Sequence, residues 1–183
     1  MIIIFGPAGA GKSVQGQLLA KSNNWKWLSA GNLLRAANDP ELSKAMNEGN
    51  LAPVEKVNEI MAEAFKQSSN VDRIVLDGFP RQVEQARWLL DNSPFHGHSV
   101  GAIIVLDIDK QEIIKRLQLR GRMDDTEEAI EERLDIYHKK INPVIDYFIS
   151  KDVKVFHVDG IGTVEQIHNR IMRKLSECNL AKQ

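Results

Sequence analysis

Apolar residues along this chain concentrate in short, mostly apolar blocks, separated by longer stretches in which they recur every three or four positions. The blocks are Met1 to Phe5, Trp25 to Leu28, Arg73 to Leu76, Ala102 to Ile108 and Val153 to Val158, and their length and β-branched content predict strands buried on both faces. The intervening periodicity predicts helices over Val14 to Lys21, Val54 to Lys66, Gln82 to Leu90, Gln111 to Arg120, Asp125 to Ile149 and Val164 to Leu175. Strands alternating with amphipathic helices imply a parallel sheet covered by helices on both sides, with any ligand at the strand carboxyl ends. Trp25 and Trp27 read as core and edge packing on their strand rather than as a base-stacking platform.

Two segments interrupt the alternation. In Gly31 to Ala52, Asp39, Pro40 and the later Gly49 predict a short helix with an N-cap, a proline at its first position and a glycine past its end. Its mostly polar surface predicts that it stands off the core. Arg120 to Asp125 reads as a turn between two helices, with Asp125 as N-cap and Glu128 as its capping-box partner. Both segments are candidate moving flaps.

The first strand block runs directly into Gly6-Pro-Ala-Gly-Ala-Gly-Lys-Ser13, a complete G-x-x-x-x-G-K-S match followed by a helix. Glycines let such a loop bend tightly and turn backbone N–H groups toward a polyphosphate. Lys12 then reaches the β and γ phosphates and Ser13 offers a hydroxyl to Mg²⁺, while the helix N-terminus adds a favourable dipole. The third strand ends in Asp77-Gly78-Phe79-Pro80-Arg81. A carboxylate leaving a strand beside a phosphate loop suits a hydrated Mg²⁺, and a guanidinium can grip an acceptor phosphate with two prongs.

Further arginines are Arg35, Arg116, Arg120, Arg122 and Arg133. Arg116 and Arg120 are four apart, so on a helix they repel unless an anion lies between them. The opposing view is that Glu112 and the acidic run Asp124 to Glu132 neutralise them on a solvated face. No residue stands out as an essential general base, and none is needed if the acceptor is a phosphate monoester, already largely ionised at neutral pH. Transfer to a phosphate therefore fits better than transfer to a hydroxyl.

Across its 183 residues the formal net charge is −1, which gives no general attraction for nucleic acid or an anionic membrane. One cysteine, Cys178, excludes an internal disulfide framework and a cysteine-based zinc site, and points to a reducing cytoplasm. Met1 to Phe5 is too short for a signal-peptide core or a membrane span. The five histidines form no H-E-x-x-H pattern, and His96-Gly97-His98, which could bind a metal, reads better as a solvated loop. No Asn-Lys-x-Asp segment supports a GTP-dependent switch.

Five blocks, in order, resemble the adenylate kinase family of nucleoside monophosphate kinases over nearly the whole chain. They are Gly6 to Ser13, Ser29 to Arg35, Gly49 to Pro53, Asp77 to Arg81 with Gln85, and Arg122 to Asp125 with Arg133. The resemblance implies a P-loop three-layer α/β/α sandwich with a five-stranded parallel sheet. Its core would be 1–29, 53–119 and 126–183, with a monophosphate-binding flap at 30–52 and a short lid at 120–125. It implies reversible phosphoryl transfer from MgATP to AMP, giving two ADP, by a cytoplasmic monomer. ATP would be held by Gly9, Ala10, Gly11, Lys12, Ser13, Val14, Arg116, Arg120 and the backbone of Val158 to Gly162. AMP would be held by Ala30, Arg35, Asn50, Leu51, Ala52, Gly78, Phe79, Arg81, Gln85, Arg122 and Arg133. Lys12, Arg81, Arg122, Arg133 and Asp77 would be catalytic, with Mg²⁺ held by Ser13 and, through water, by Asp77.

Several positions depart from the family pattern. Ser13-Val14 replaces the usual Gly-Thr, Asn32 replaces the usual Asp, and flap and lid are short. Ala30 matches UMP/CMP kinases, whereas Gln85 matches the adenine-reading glutamine. AMP is favoured because a glutamine amide offers both a donor and an acceptor to adenine's N6/N1 edge. UMP or CMP is the alternative acceptor, and a nucleotide-dependent binding or assembly protein without transfer activity is the alternative of another class.

Overall fold

The computed structural model describes residues 1–47, 50–120 and 127–181. Five strands, β1 (Ile2–Phe5), β2 (Lys26–Ser29), β3 (Ile74–Asp77), β4 (Ala102–Asp107) and β5 (Lys154–Asp159), form one sheet in the order β2-β3-β1-β4-β5. Every pairing is parallel. The eight helices among the described residues are α1 (Lys12–Asn23), α2 (Ala30–Ala36), α3 (Pro40–Asn47), α4 (Val54–Lys66), α5 (Val83–Asn92), α6 (Lys110–Arg120), α7 (Glu127–Ile149) and α8 (Val164–Ser176). All five predicted strands are present.

The period-2 geometry of strands divides the core into two layers. Ile3 and Phe5 of β1 face one side with Leu28, Leu76 and Val105, and pack against Leu34, Met61, Phe65, Leu89, Val144 and Phe148 of α2, α4, α5 and α7. Ile2 and Ile4 face the other side with Val75, Ile104 and Leu106, and pack against Leu19, Ile167, Ile171 and Leu175 of α1 and α8. Since β1 sits between β3 and β4, the sheet changes direction of growth there. Loops leaving the carboxyl ends of β1 and β3 diverge and leave a crevice, the usual ligand position in this architecture.

Local differences from expectation have local causes. β2 starts one residue late because Asn24 adopts a left-handed φ of 56° and the Trp25 N–H returns to the Ala20 carbonyl, closing α1. Trp25 instead lies under the Arg73 guanidinium, 5.1 Å from its ring centre. α2 forms despite Gly31 in its first turn because Ser29 caps it by accepting the Asn32 N–H. The helix from Pro40 is present, with Asp39 accepting the N–H groups of Glu41 and Leu42. It does not stand off the core, because Leu42 is buried in the larger layer. His98 is likewise not solvated: it is buried, and its Nε2 hydrogen-bonds the Ser68 carbonyl. The Gly49 helix stop and the Asp125–Glu128 capping box lie outside the described residues and side chains.

Candidate functional site

The loop between β1 and α1 wraps the space in front of the crevice. Gly9 and Gly11 hold φ values of 83° and 86°, a left-handed conformation that L side chains rarely adopt, and Gly11 is the N-cap of α1. A Cβ on Gly9 would press to 3.1 Å of Leu117. Lys12 Nζ curls back to donate to the Pro7 carbonyl at 2.8 Å. Burial lowers the Lys12 pKa to about 8; Asp77 acts against that shift and Arg81 reinforces it.

The parallel register places Asp77 beside Ile4 on one side and Ser29 on the other. The carboxylate is buried, and its Oδ2 accepts the Ser13 hydroxyl at 2.6 Å. A hydroxyl and a carboxylate are hard oxygen donors of the kind Mg²⁺ prefers, so the pair fits the expected metal position. No cluster of three or more acidic, histidine or cysteine side chains suited to a metal occurs among the described residues.

Three cavities surround the loop. The central one, about 240 Å³, is lined by Gly6, Ala8, Lys12, Leu51, Gly78, Pro80 and Arg81, and by Ile136, Tyr137, Lys140 and Ile141 of α7. Arg81 Nε donates to the Gly78 carbonyl at 3.1 Å. The surrounding protein lowers the Arg81 pKa, with Asp77 acting against the shift. Burial raises the Tyr137 phenol above its ordinary value, so it stays a neutral hydroxyl.

On one side lies a pocket of about 50 Å³ that brings together Ala30, Asn50, Leu51, Ala52, Gly78, Phe79, Arg81 and Gln85. Gln85 is buried, and its Oε1 accepts the Arg81 backbone N–H at 2.8 Å. Arg35 does not line this pocket: its guanidinium donates to Asn32 Oδ1 at 2.7 Å. On the other side a cavity of about 310 Å³ collects Gly9, Ala10, Gly11, Val14, Arg116 and Gly162, with Gln15 and Glu112. Arg116 donates through Nε to Glu112 and through a terminal nitrogen to the Gly160 carbonyl. The acidic neighbour is thus its partner. The side chains of Arg120 and Arg133, and the whole of Arg122, lie outside the description.

A family model for adenylate kinase matches residues 4–153. The chain is 35% identical to an adenylate kinase of Nocardioides sp. over 95% of its length and 96% of the relative's. It is 36% identical to one from Flavobacterium johnsoniae over 93% and 95%, and 30% identical to one from Mycobacterium leprae over 96% and 99%. This chain belongs to the adenylate kinase family. The P-loop sandwich expected from its motifs is the fold observed.

Sequence reasoning named Glu112 as the partner of Arg116 and missed Gln15, Tyr137 and Lys140, which also line the adenylate kinase cavities. Gln15 carries a detectable signal: it is a polar residue on the α1 face that otherwise buries Gly16, Leu19 and Ala20. Its Nε2 donates to the Val164 carbonyl at 2.9 Å, tying the phosphate-loop helix to the start of α8. Tyr137 and Lys140 sit in a long helix whose rotation about its axis the pattern leaves open.

Proposed function

We infer that this chain catalyses reversible transfer of the γ-phosphoryl group of ATP to AMP, giving two ADP. The observation that carries this reading is the placement of Lys12 and Arg81 on one cavity, between a flanking pocket containing Gln85 and a flanking cavity containing Arg116 and Gly162. Two anions that repel each other need cations between them, and positioning plus charge stabilisation supplies most of the catalysis in phosphoryl transfer.

In this reading the N–H groups of Gly9 to Val14 and the Lys12 ammonium hold the donor phosphates. Arg116 leaves Glu112 to cover the donor base, which rests on the backbone up to Gly162. Arg81, with Arg35, Arg122 and Arg133, holds the AMP phosphate in line, Arg120 closes over the donor phosphates, and Gln85 reads adenine. Ser13 and, through water, Asp77 would hold Mg²⁺, which when bound would offset phosphate charge. The acceptor oxygen needs no base because its second ionisation lies near pH 6.

The flap at 30–52 and the lid at 120–125 would close over the reactants and exclude water. The acceptor pocket, at about 50 Å³, is the narrower of the two flanking spaces, and outward movement of the flap would widen it for a base. Asn32 would release Arg35 as the phosphate arrives.

The chain would act as a cytoplasmic monomer on small nucleotides. A single cysteine suits a reducing compartment, and near-zero net charge gives no general attraction to nucleic acid or an anionic membrane. One observation favours a second acceptor class: Ala30 lines the pocket without a hydroxyl to add to base reading. The deciding assay offers MgATP with AMP, UMP, CMP or GMP in parallel. Diphosphate formation with AMP alone is expected; a preference for UMP or CMP would overturn the acceptor, and no transfer with any would overturn the activity.

A further inference from the structure

The central cavity is lined by three cations, Lys12, Arg81 and Lys140, and by no carboxylate among its lining residues. Lys12 and Arg81 belong to the motifs. Lys140 does not: it reaches the cavity because α7 turns Tyr137, Lys140 and Ile141 to the same side, as positions three and four apart on a helix must.

Some lysines of this protein are held by acids, Lys56 by Asp39 and Glu41, Lys110 by Glu131, and Lys174 by Glu177. At helical spacing from Lys140 stand Ile136, Tyr137, Pro143 and Val144, none of which can compensate it. Asp77 partly offsets Lys12 and Arg81, yet three cations on one cavity still repel each other, and a polyanion placed between them reverses the sign of that interaction.

The central cavity shares Leu51, Gly78 and Arg81 with the pocket containing Gln85, and shares no lining residue with the cavity containing Arg116. Lys140 therefore borders the acceptor side of the transfer space. We propose that Lys140 is an additional phosphate-holding residue, whose ammonium contacts the acceptor monophosphate beside Arg81. This rests on the phosphoryl-transfer reading above. Lys140 is solvent-exposed, so its contribution is moderate and salt-sensitive.

The test is steady-state kinetics of Lys140→Gln, Lys140→Arg and Lys139→Gln against the wild type, with AMP and ATP varied separately at two salt concentrations and thermal unfolding measured alongside. Lys140→Gln is expected to raise the KM for AMP roughly three- to five-fold, to leave the KM for ATP and the unfolding temperature unchanged, and to flatten the salt dependence of the AMP KM. Lys140→Arg restores the AMP KM, and Lys139→Gln resembles the wild type. An unchanged AMP KM in Lys140→Gln, an equal effect from Lys139→Gln, or failure of arginine to restore it overturns the proposal. An active wild type with any of these results sinks Lys140 alone, whereas a wild type that does not phosphorylate AMP sinks the functional reading and this inference together.

Discussion

Gln85 Oε1 accepts the backbone N–H of Arg81 at 2.8 Å, so the side chain expected to read the acceptor base also fixes the backbone of the residue expected to hold its phosphate. One oxygen lone pair is committed; the other and the amide nitrogen are left for a base. Gln85→Leu should therefore damage both functions. We expect the KM for AMP to rise at least ten-fold, consistent with about 1.5–3 kcal/mol for lost and orphaned hydrogen bonds, with the KM for ATP unchanged. Equal effects on both KM values in initial-rate assays would show that Gln85 does not serve the acceptor side.

Lys12 couples stability to pH. Its pKa lies at about 8 in the fold, below the ordinary 10.5, chiefly from burial. The unfolded chain thus binds the extra proton between these values, and folding stability gains from Lys12 as pH rises from about 8 toward 10.5. Below pH 8 the folded protein carries a costly cation. Lys12→Met should abolish transfer yet make the nucleotide-free protein more stable at pH 7 by about 1 kcal/mol, or roughly 2–4 °C in Tm. Pyrophosphate should raise the Tm of the wild type and not of the variant. A lower Tm for Lys12→Met in calorimetry would contradict the burial argument.

His98 acts in the acid range. Its ring lies 6.5 Å from Phe65, and its Nε2 sits against the Ser68 carbonyl, which requires an Nε2–H donor. Burial lowers its pKa despite the Ser68 bond, which acts to raise it. The neutral ring is the folded form, so its contribution is present above the ordinary 6.5 and is lost as pH falls below it. Urea titrations at pH 7.5 and 5 should show the wild type losing more stability than His98→Gln. Parallel losses would assign the acid sensitivity elsewhere.

Gly16 inverts the usual rule for glycine inside a helix. Alanine normally gains about 1 kcal/mol at such a site, but a Cβ here would lie 2.9 Å from Trp27 Nε1 and 3.0 Å from its neighbouring ring carbon. Gly16→Ala should destabilise by about 1–3 kcal/mol from overpacking, and Gly16→Ala with Trp27→Leu should recover most of it. A double-mutant cycle with no coupling would place the strain elsewhere.

The legible parts of this protein are those where one residue type has one physical use. The block Met1 to Phe5 is apolar at every position because β1 is covered on both faces, and Gly9 and Gly11 are glycine because the loop needs positive φ. Asp77 was readable because a carboxylate ending a buried strand has few purposes. His98 and Gln15 were not, because a polar residue reveals its burial only through partners distant in sequence, here Ser68 and Val164. Leu42 was misread with its helix because one apolar anchor suffices to dock a short element. The Arg35–Asn32 and Arg116–Glu112 pairs lie within a helix turn, yet nothing in the sequence says whether a cation rests on a neighbour or reaches for a ligand.

β1 ends where the phosphate loop begins, and its four residues are fully or almost fully buried between β3 and β4. Its amides can exchange with solvent only when the whole sheet opens, so in deuterated water Ile2 to Phe5 should label last. The loop holding Lys12 would thus be anchored to the central, fully covered strand of the sheet. Every other moving part can be timed and measured against that one stationary anchor.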